Sequence, residues 1–353
     1  GNNRRVTNPE TRLIMRAMTA NVALKKTTTE TLRADIESTL GDSGCLELLK
    51  AGDRVLLKPN LVTDKKEYID LGANTSIEVL EGLLQILSDI DCSIGIVESE
   101  TGTPAKGRRL RRTWELMKLP EVAQRYGADL INLTQEPRTR LDFPGSRAPQ
   151  LELPVALFEC DRILNIPKIK THKYATLTCC IKNLFGLLPE PRRIVYHNRM
   201  QEIIVELAKT FDDKLIHLVD GLIAMEGNGP LYGKAVEMNV LLAGKSAWAI
   251  DRTVCDLIEL DPRKVRYLSI GKKRGLEQSD IEVIGDSLPD LKRRFEPVAF
   301  NAYRLFEKKL METPLVHLIT SHWFQRHISS HLGGVTERLR GGGYSWYLDE
   351  GQK

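Results

Sequence analysis

The sequence predicts an α/β protein: an open, largely parallel sheet flanked by helices, with a C-terminal helical extension. Short apolar runs of strand length alternate with longer amphipathic stretches of helix length. Their order is mostly β then α, which calls for right-handed crossovers between parallel strands. A chain of 353 residues with 42% hydrophobic and 28% charged residues is also long and ordinary enough to bury its own core without disulfides or metals.

The expected strands are Arg54–Leu61, Ser93–Glu98, Asp129–Leu133, Arg162–Ile166, Leu215–Val219, Val240–Ala243 and Ile281–Ile284. The expected helices are Thr29–Leu40, Ser76–Ile90, Arg108–Tyr126, Ala175–Leu188, Met200–Phe211, Ala247–Leu260 and Pro262–Lys273. Residues 1–20 read as an N-terminal segment and 21–290 as the α/β domain. Residues 137–150, rich in Pro, Gly and Arg, read as a long loop or lobe boundary. Residues 291–353 form the extension, with amphipathic stretches at Phe300–Lys309 and Leu315–Ile328 and a Gly-rich tail at Gly341–Gly343.

A net charge of +4 is a weak excess for this length, and nucleic acid is not an expected partner. Arg108, Arg109, Arg111 and Arg112 fit a solvated helix face. The six cysteines, Cys45, Cys92, Cys160, Cys179, Cys180 and Cys255, contain no CxxC, which fits a reducing compartment and a cytoplasmic location. Nor does any apolar run reach the roughly 18 to 20 residues of a membrane span.

Chemistry concentrates between Asn165 and His197. A buried strand ends at Pro167, and then Lys168, Lys170, His172 and Lys173 arrive before a predicted helix carrying Thr176, Thr178, Lys182 and Asn183. A β-to-α junction favours an anion, because free backbone N–H groups and the helix dipole meet there. Lys168, Lys170 and Lys182 add positive charge, while Thr176 and Thr178 offer caps or hydroxyl donors. Lys58 and Asn60 end an earlier strand in Lys-Pro-Asn, and parallel strands bring their carboxyl ends to one crevice. Plain turn chemistry explains that motif equally. A third element delivers Asp220 at a strand end, followed by Glu226, Gly227 and Gly229 in Glu-Gly-Asn-Gly-Pro. Glu226 and Asp220 suit acid–base work or a divalent cation, and the glycines permit close backbone approach. His197 is a donor, base or metal ligand at the crevice, or a satisfied surface residue. Among the late histidines His317, His322, His327 and His331, the last two form an i, i+4 pair that reads as a wet helix face.

Taken together, Lys58-Pro-Asn60, Pro167-Lys-Ile-Lys-Thr-His172, Lys182-Asn-Leu-Phe-Gly186, Asp220-Gly and Glu226-Gly-Asn-Gly-Pro230 resemble domain-of-unknown-function family 362 over about residues 54 to 255. Members of that family often carry a ferredoxin-like iron–sulfur segment. The cysteine spacing here departs from it, so a [4Fe–4S] cluster is not expected and Cys179 and Cys180 read as small helix residues. More distantly, His172, Lys182 ten residues later and His197 fifteen further on resemble the lactate racemase family in order and spacing. That resemblance implies a lysine holding a nickel-pincer nucleotide, a nickel-ligating His197 and a catalytic His172. The second base of that family has no counterpart, since no histidine precedes His172.

The leading expectation is an enzyme acting on a small carboxylated or phosphorylated metabolite by acid–base or redox chemistry. His172, Glu226 and Asp220 are its candidate catalytic groups. Lys58, Asn60, Lys168, Lys170, Thr176, Lys182, Asn183, Gly227 and Gly229 are its candidate ligand contacts. The alternatives are an enzyme dependent on nickel or another divalent metal, using Lys182 and His197, and a non-catalytic binding or electron-transfer protein with a redox partner.

Overall fold

The computed structural model describes residues 19–101, 109–278, 280–300 and 302–315. Among the described residues the strands are β1 (Ala20–Lys26), β2 (Arg54–Pro59), β3 (Ser93–Glu98), β4 (Asp129–Asn132), β5 (Arg138–Leu141), β6 (Leu151–Pro154), β7 (Arg162–Ile166), β8 (Lys168–His172), β9 (Thr176–Thr178), β10 (Leu215–Asn228), β11 (Tyr232–Gly244) and β12 (Ile281–Gly285). The helices that matter below are α1 (Leu32–Asp42), α2 (Ile77–Asp89), α3 (Arg109–Leu116), α4 (Leu119–Arg125), α5 (Cys180–Asn183), α6 (Met200–Thr210), α7 (Ala247–Leu257), α8 (Arg266–Lys273) and α9 (Ala302–Met311).

The main sheet runs β12-β1-β11-β10-β7-β2-β3-β4, with β8 paired to β10 and β9 paired to β8. From β10 to β4 every neighbour is parallel. The other side is mixed, because β11 runs antiparallel to both β10 and β1. Successive residues of a strand point to opposite faces, and both faces are covered here. Leu56, Ile163 and Val219 pack with α6 and α7 residues such as Ile203 and Val254. Val55, Leu57, Leu164 and Leu218 pack with α1 and α2 residues such as Ile36 and Leu83.

Several expectations need correction. The predicted helix Ala175–Leu188 is strand β9, then the four-residue α5, then a 3-10 turn over Leu184–Leu187. The β-branched Thr-Leu-Thr pairs with β8, from Lys170↔Thr178 to His172↔Thr176. The basic segment after Pro167, read as a loop, is strand β8. Its Lys168, Lys170 and His172 alternate with Ile169 and Thr171, a period of two hidden by the lysines. The Gly-rich segment around Glu226 is likewise strand, since β10 and β11 continue past a bulge at Gly221/Ile223 into a long hairpin. Residues 137–150 hold β5, which pairs with β6 in a small antiparallel sheet. The single helix Arg108–Tyr126 is broken into α3 and α4 at Lys118, whose φ is 54°. Strand β1 went unforeseen. In the extension, α9 matches the expected Phe300–Lys309 stretch approximately. The helix expected over Leu315–Ile328, the His327/His331 pair and the tail lie outside the described residues, apart from Leu315. Among the described residues no helix is long and apolar enough to cross a membrane.

Candidate functional site

The carboxyl ends of β2, β3 and β7 open toward β8 and α5, as the crevice rule for parallel sheets demands. Lys58, Lys168, Lys170, His172 and Asp220 all gather there. Register explains it: Lys58 lies opposite Asn165, and Lys168 lies opposite Asp220.

Three of the lysines are buried and internally satisfied. Lys58 Nζ donates to Glu98 Oε2 at 2.7 Å and to its neighbouring Pro59 carbonyl at 2.6 Å. Gly186 covers this pair, where a Cβ would meet Lys58 Nζ at 2.7 Å and Glu98 Oε1 at 2.9 Å, so the close approach requires glycine. Lys168 Nζ reaches Asp220 Oδ1 at 2.8 Å. Asp220 Oδ2 accepts from the backbone N–H and hydroxyl of Ser76, at 2.7 and 2.8 Å, and Oδ1 accepts from Leu222 N. It therefore ties β8, β10 and the start of α2 together. Lys170 donates to Asn60 Oδ1 at 2.6 Å and to the Ala73 carbonyl. Behind it the amides run in series, with Asn60 Nδ2 donating to Asn183 Oδ1 at 3.0 Å and Asn183 Nδ2 to Asn165 Oδ1 at 2.8 Å. Asn165 Nδ2 closes the series on the Cys180 carbonyl and His217 Nδ1. All three amide oxygens face back toward the Lys170 charge.

Lys182 differs. It is half-buried on α5, and among the described residues no carboxylate lies within ion-pair distance and no hydrogen-bond acceptor is engaged. Its ammonium sits 4.8 Å from the Phe185 ring centroid. Burial, then the nearby Arg193 and Lys58 charges, push its pKa down to about 7, against a partial pull from Glu98. His172 and His197 share these surroundings. His172 Nδ1 accepts from the N–H groups of Tyr174 and Ala175, at 3.0 and 3.1 Å, which leaves the proton of the neutral ring on Nε2. Burial, then the Lys182 charge, hold its pKa well below the usual histidine value. His197 lies edge-on to Tyr174 and Phe185, with centroids 5.1 and 5.9 Å apart, and burial followed by Lys182 lowers its pKa to about 4.

The remaining candidates stand apart from this group. Thr176 holds a positive φ of 70° and donates its hydroxyl to the Lys264 carbonyl. Glu226 Oε2 accepts from Glu296 N at 2.9 Å. Gly227 and Gly229 seat the hairpin tip on β8: Thr171 Oγ1 donates to the Gly227 carbonyl, and a Cβ on Gly229 would fall 2.0 Å from the Thr171 carbonyl oxygen. Sequence reasoning passed over Glu98 and Arg193. Glu98 ends a parallel strand just as Lys58 does, so the same rule could have found it. Arg193 carries no such signal.

These features define an α/β protein whose mixed, mostly parallel sheet gathers buried lysines and histidines at its strand ends. The family described as "Domain of unknown function (DUF362)" matches residues 55–256, more than half of the chain, and the chain belongs to that family. It is 29% identical over 255 residues to the thylakoid-associated protein sll1697 of Synechocystis sp. (strain ATCC 27184 / PCC 6803 / Kazusa), covering 69% of this chain and 74% of that protein. Two solved structures align at 12% identity and a TM-score of 0.38 over 70% of this chain: a structural-genomics protein from Thermotoga maritima and the lactate racemase apoprotein from Thermoanaerobacterium thermosaccharolyticum. The chain spans 60% and 58% of their lengths, and a likeness this low carries no argument about chemistry.

Proposed function

We propose that the protein is an enzyme of acid–base type acting on a small carboxylated or phosphorylated metabolite held at Lys182. The carrying observation is the contrast at one set of strand ends: Lys58 and Lys168 have carboxylate partners and Lys170 has oxygen acceptors, whereas among the described residues the Lys182 ammonium has neither. A desolvated charge without a partner is costly, and an anionic ligand supplies the partner. Arg193 reinforces the positive potential, His172 presents an N–H to a ligand oxygen where charge develops, and His197, its Nδ1–H turned to the Arg193 carbonyl, takes the substrate proton on Nε2. Asp220, with both oxygens committed to Ser76, Leu222 and Lys168, and Glu226, with Oε2 on Glu296 N, anchor strands in this reading.

The second reading, a metal-dependent enzyme, draws on His197. Its Nδ1 lies 3.4 Å from the Arg193 carbonyl, which leaves Nε2 for a ligand. The surroundings are cationic, so the residues fit a metal carried by an anionic cofactor better than a bare divalent ion. Nickel analysis of purified protein tests it.

The test of the leading reading is calorimetric titration with inorganic phosphate and with acetate, beside proton exchange of carboxylated and phosphorylated metabolites in D2O followed by NMR. Lys182→Met should keep the fold and lose anion affinity by roughly ten- to a hundredfold, the worth of one charged hydrogen bond. His172→Gln should retain anion binding and lose exchange. A Lys182→Met protein that melts and binds like wild type removes the site.

A further inference from the structure

The six cysteines are scattered in sequence, yet Cys179, Cys180 and Cys255 converge in the core around Asp251. The Cys179 and Cys180 Sγ atoms are 4.0 Å apart, and both thiols and an Asp251 carboxylate oxygen lie within 4.8 Å of one another. Cys255 sits one helical turn beyond Asp251 on α7, buried with the rest.

Asp251 is fully buried, and among the described residues no lysine, arginine or histidine lies within ion-pair distance of it. Four other buried carboxylates do have such partners: Glu98 with Lys58, Asp220 with Lys168, Glu202 with Arg266 and Glu206 with Arg274. The Asp251 carboxylate is held instead by neutral donors. Oδ2 accepts from Ile181 N and the Tyr267 hydroxyl, at 3.1 and 2.9 Å, while Oδ1 accepts from Cys180 N at 2.7 Å, and the Cys179 and Cys180 thiols are also in hydrogen-bond contact with the carboxylate. Two thiols and a carboxylate thus converge in one fully buried position, a donor set of the kind that holds a metal ion.

We infer that Cys179, Cys180 and Asp251 form a binding site for a single zinc-class ion. The spacing suits a mononuclear centre, since two thiolates on a tetrahedral ion with bonds of about 2.3 Å stand about 3.8 Å apart. The Tyr267 hydroxyl orients the ligating carboxylate, as outer partners of metal ligands do. Binding forms metal–sulfur bonds and releases the thiol protons to solvent, with no change of oxidation state. The ion ties α5, which bears Lys182 and Asn183, to α7. This site is separate from the Lys182 anion site, and its failure leaves that reading untouched.

Reduced, chelator-treated protein is titrated with Co2+ and then with Zn2+. The expected result is one ion per chain, a thiolate-to-cobalt charge-transfer absorption that Zn2+ abolishes, and a higher melting temperature with Zn2+. Cys179→Ser and Cys180→Ser should each weaken Zn2+ binding at least tenfold, whereas Cys92→Ser, outside the cluster, leaves it unchanged. The cobalt spectrum of the unaltered protein reports thiolate ligation directly, so the inference does not depend on the variants folding. Absence of the charge-transfer band, or Zn2+ binding that survives Cys179→Ser and Cys180→Ser, overturns the site.

Discussion

Lys168 and Lys182 lie in one crevice and face opposite electrostatic situations. Lys168 is buried against Asp220 at 2.8 Å, inside a knot that joins β8, β10 and the start of α2. Lys182 is half-buried beside Phe185, His172 and His197, and among the described residues no carboxylate lies within ion-pair distance of it. A buried charge with a partner is architecture. The same residue type in the same motif region is therefore internally paired at one position and, at the other, is the one for which an anionic ligand is proposed.

The largest expected effect comes from breaking the paired lysine. Lys168→Met strands Asp220 and should lower unfolding stability by about 3–5 kcal/mol, read from the urea midpoint at constant slope. Lys168→Met with Asp220→Asn should recover a good part of that loss, because the stranded charge is removed with its partner. Equal stability of Lys168→Met and wild type would erase the distinction between the two lysines. Next in size, Gly186→Ala pushes a methyl into the Lys58–Glu98 pair and should cost about 1–3 kcal/mol in the same measurement. Unchanged stability there would show that the pair yields freely.

Much of this arrangement was legible in the sequence. Period and order predicted the α/β class and strands β2, β3, β4 and β7, because buried parallel strands are short apolar runs with little ambiguity. The gathering of Lys58, Lys168 and His172 followed from strand ends facing one crevice. The strand character of β8 was hidden because its lysines point into a polar interior rather than out to water, inverting the usual meaning of alternation. The cysteine cluster was hidden for another reason. Cys179 and Cys255 are 76 positions apart, the difference of their residue numbers, and meet only when α7 packs on α5.

The Lys182 difference also has a pH signature. Its folded pKa of about 7 lies below the ordinary 10.5, so the unfolded chain binds more protons between those values. Stability therefore rises with pH across that window, and the penalty for burying the charge is complete below about 7. Anion affinity runs the other way, since the ammonium is the binding form, and should fall as pH climbs above about 7. Lys58 and Lys170 are lowered as well, so the informative quantity is the difference between wild type and Lys182→Met. Affinity that stays flat from acid to alkaline pH would mean Lys182 does not hold the anion.

The smallest expected effect belongs to Glu226, whose Oε2 accepts from Glu296 N while Lys234 lies nearby without an ion pair to it. Glu226→Gln keeps the shape and a carbonyl-type acceptor and removes the charge. Rotated so that the amide oxygen faces Glu296 N, the glutamine preserves the hydrogen bond and loses only a screened attraction to the exposed Lys234. The change in stability should stay within about 0.5 kcal/mol, and proton exchange into the metabolite should continue at the wild-type rate. An acid–base role for Glu226 predicts the same melting with exchange abolished. That outcome would extend the functional crevice from Lys182 to the tip of the β10–β11 hairpin and make Glu226 a working group rather than an anchor.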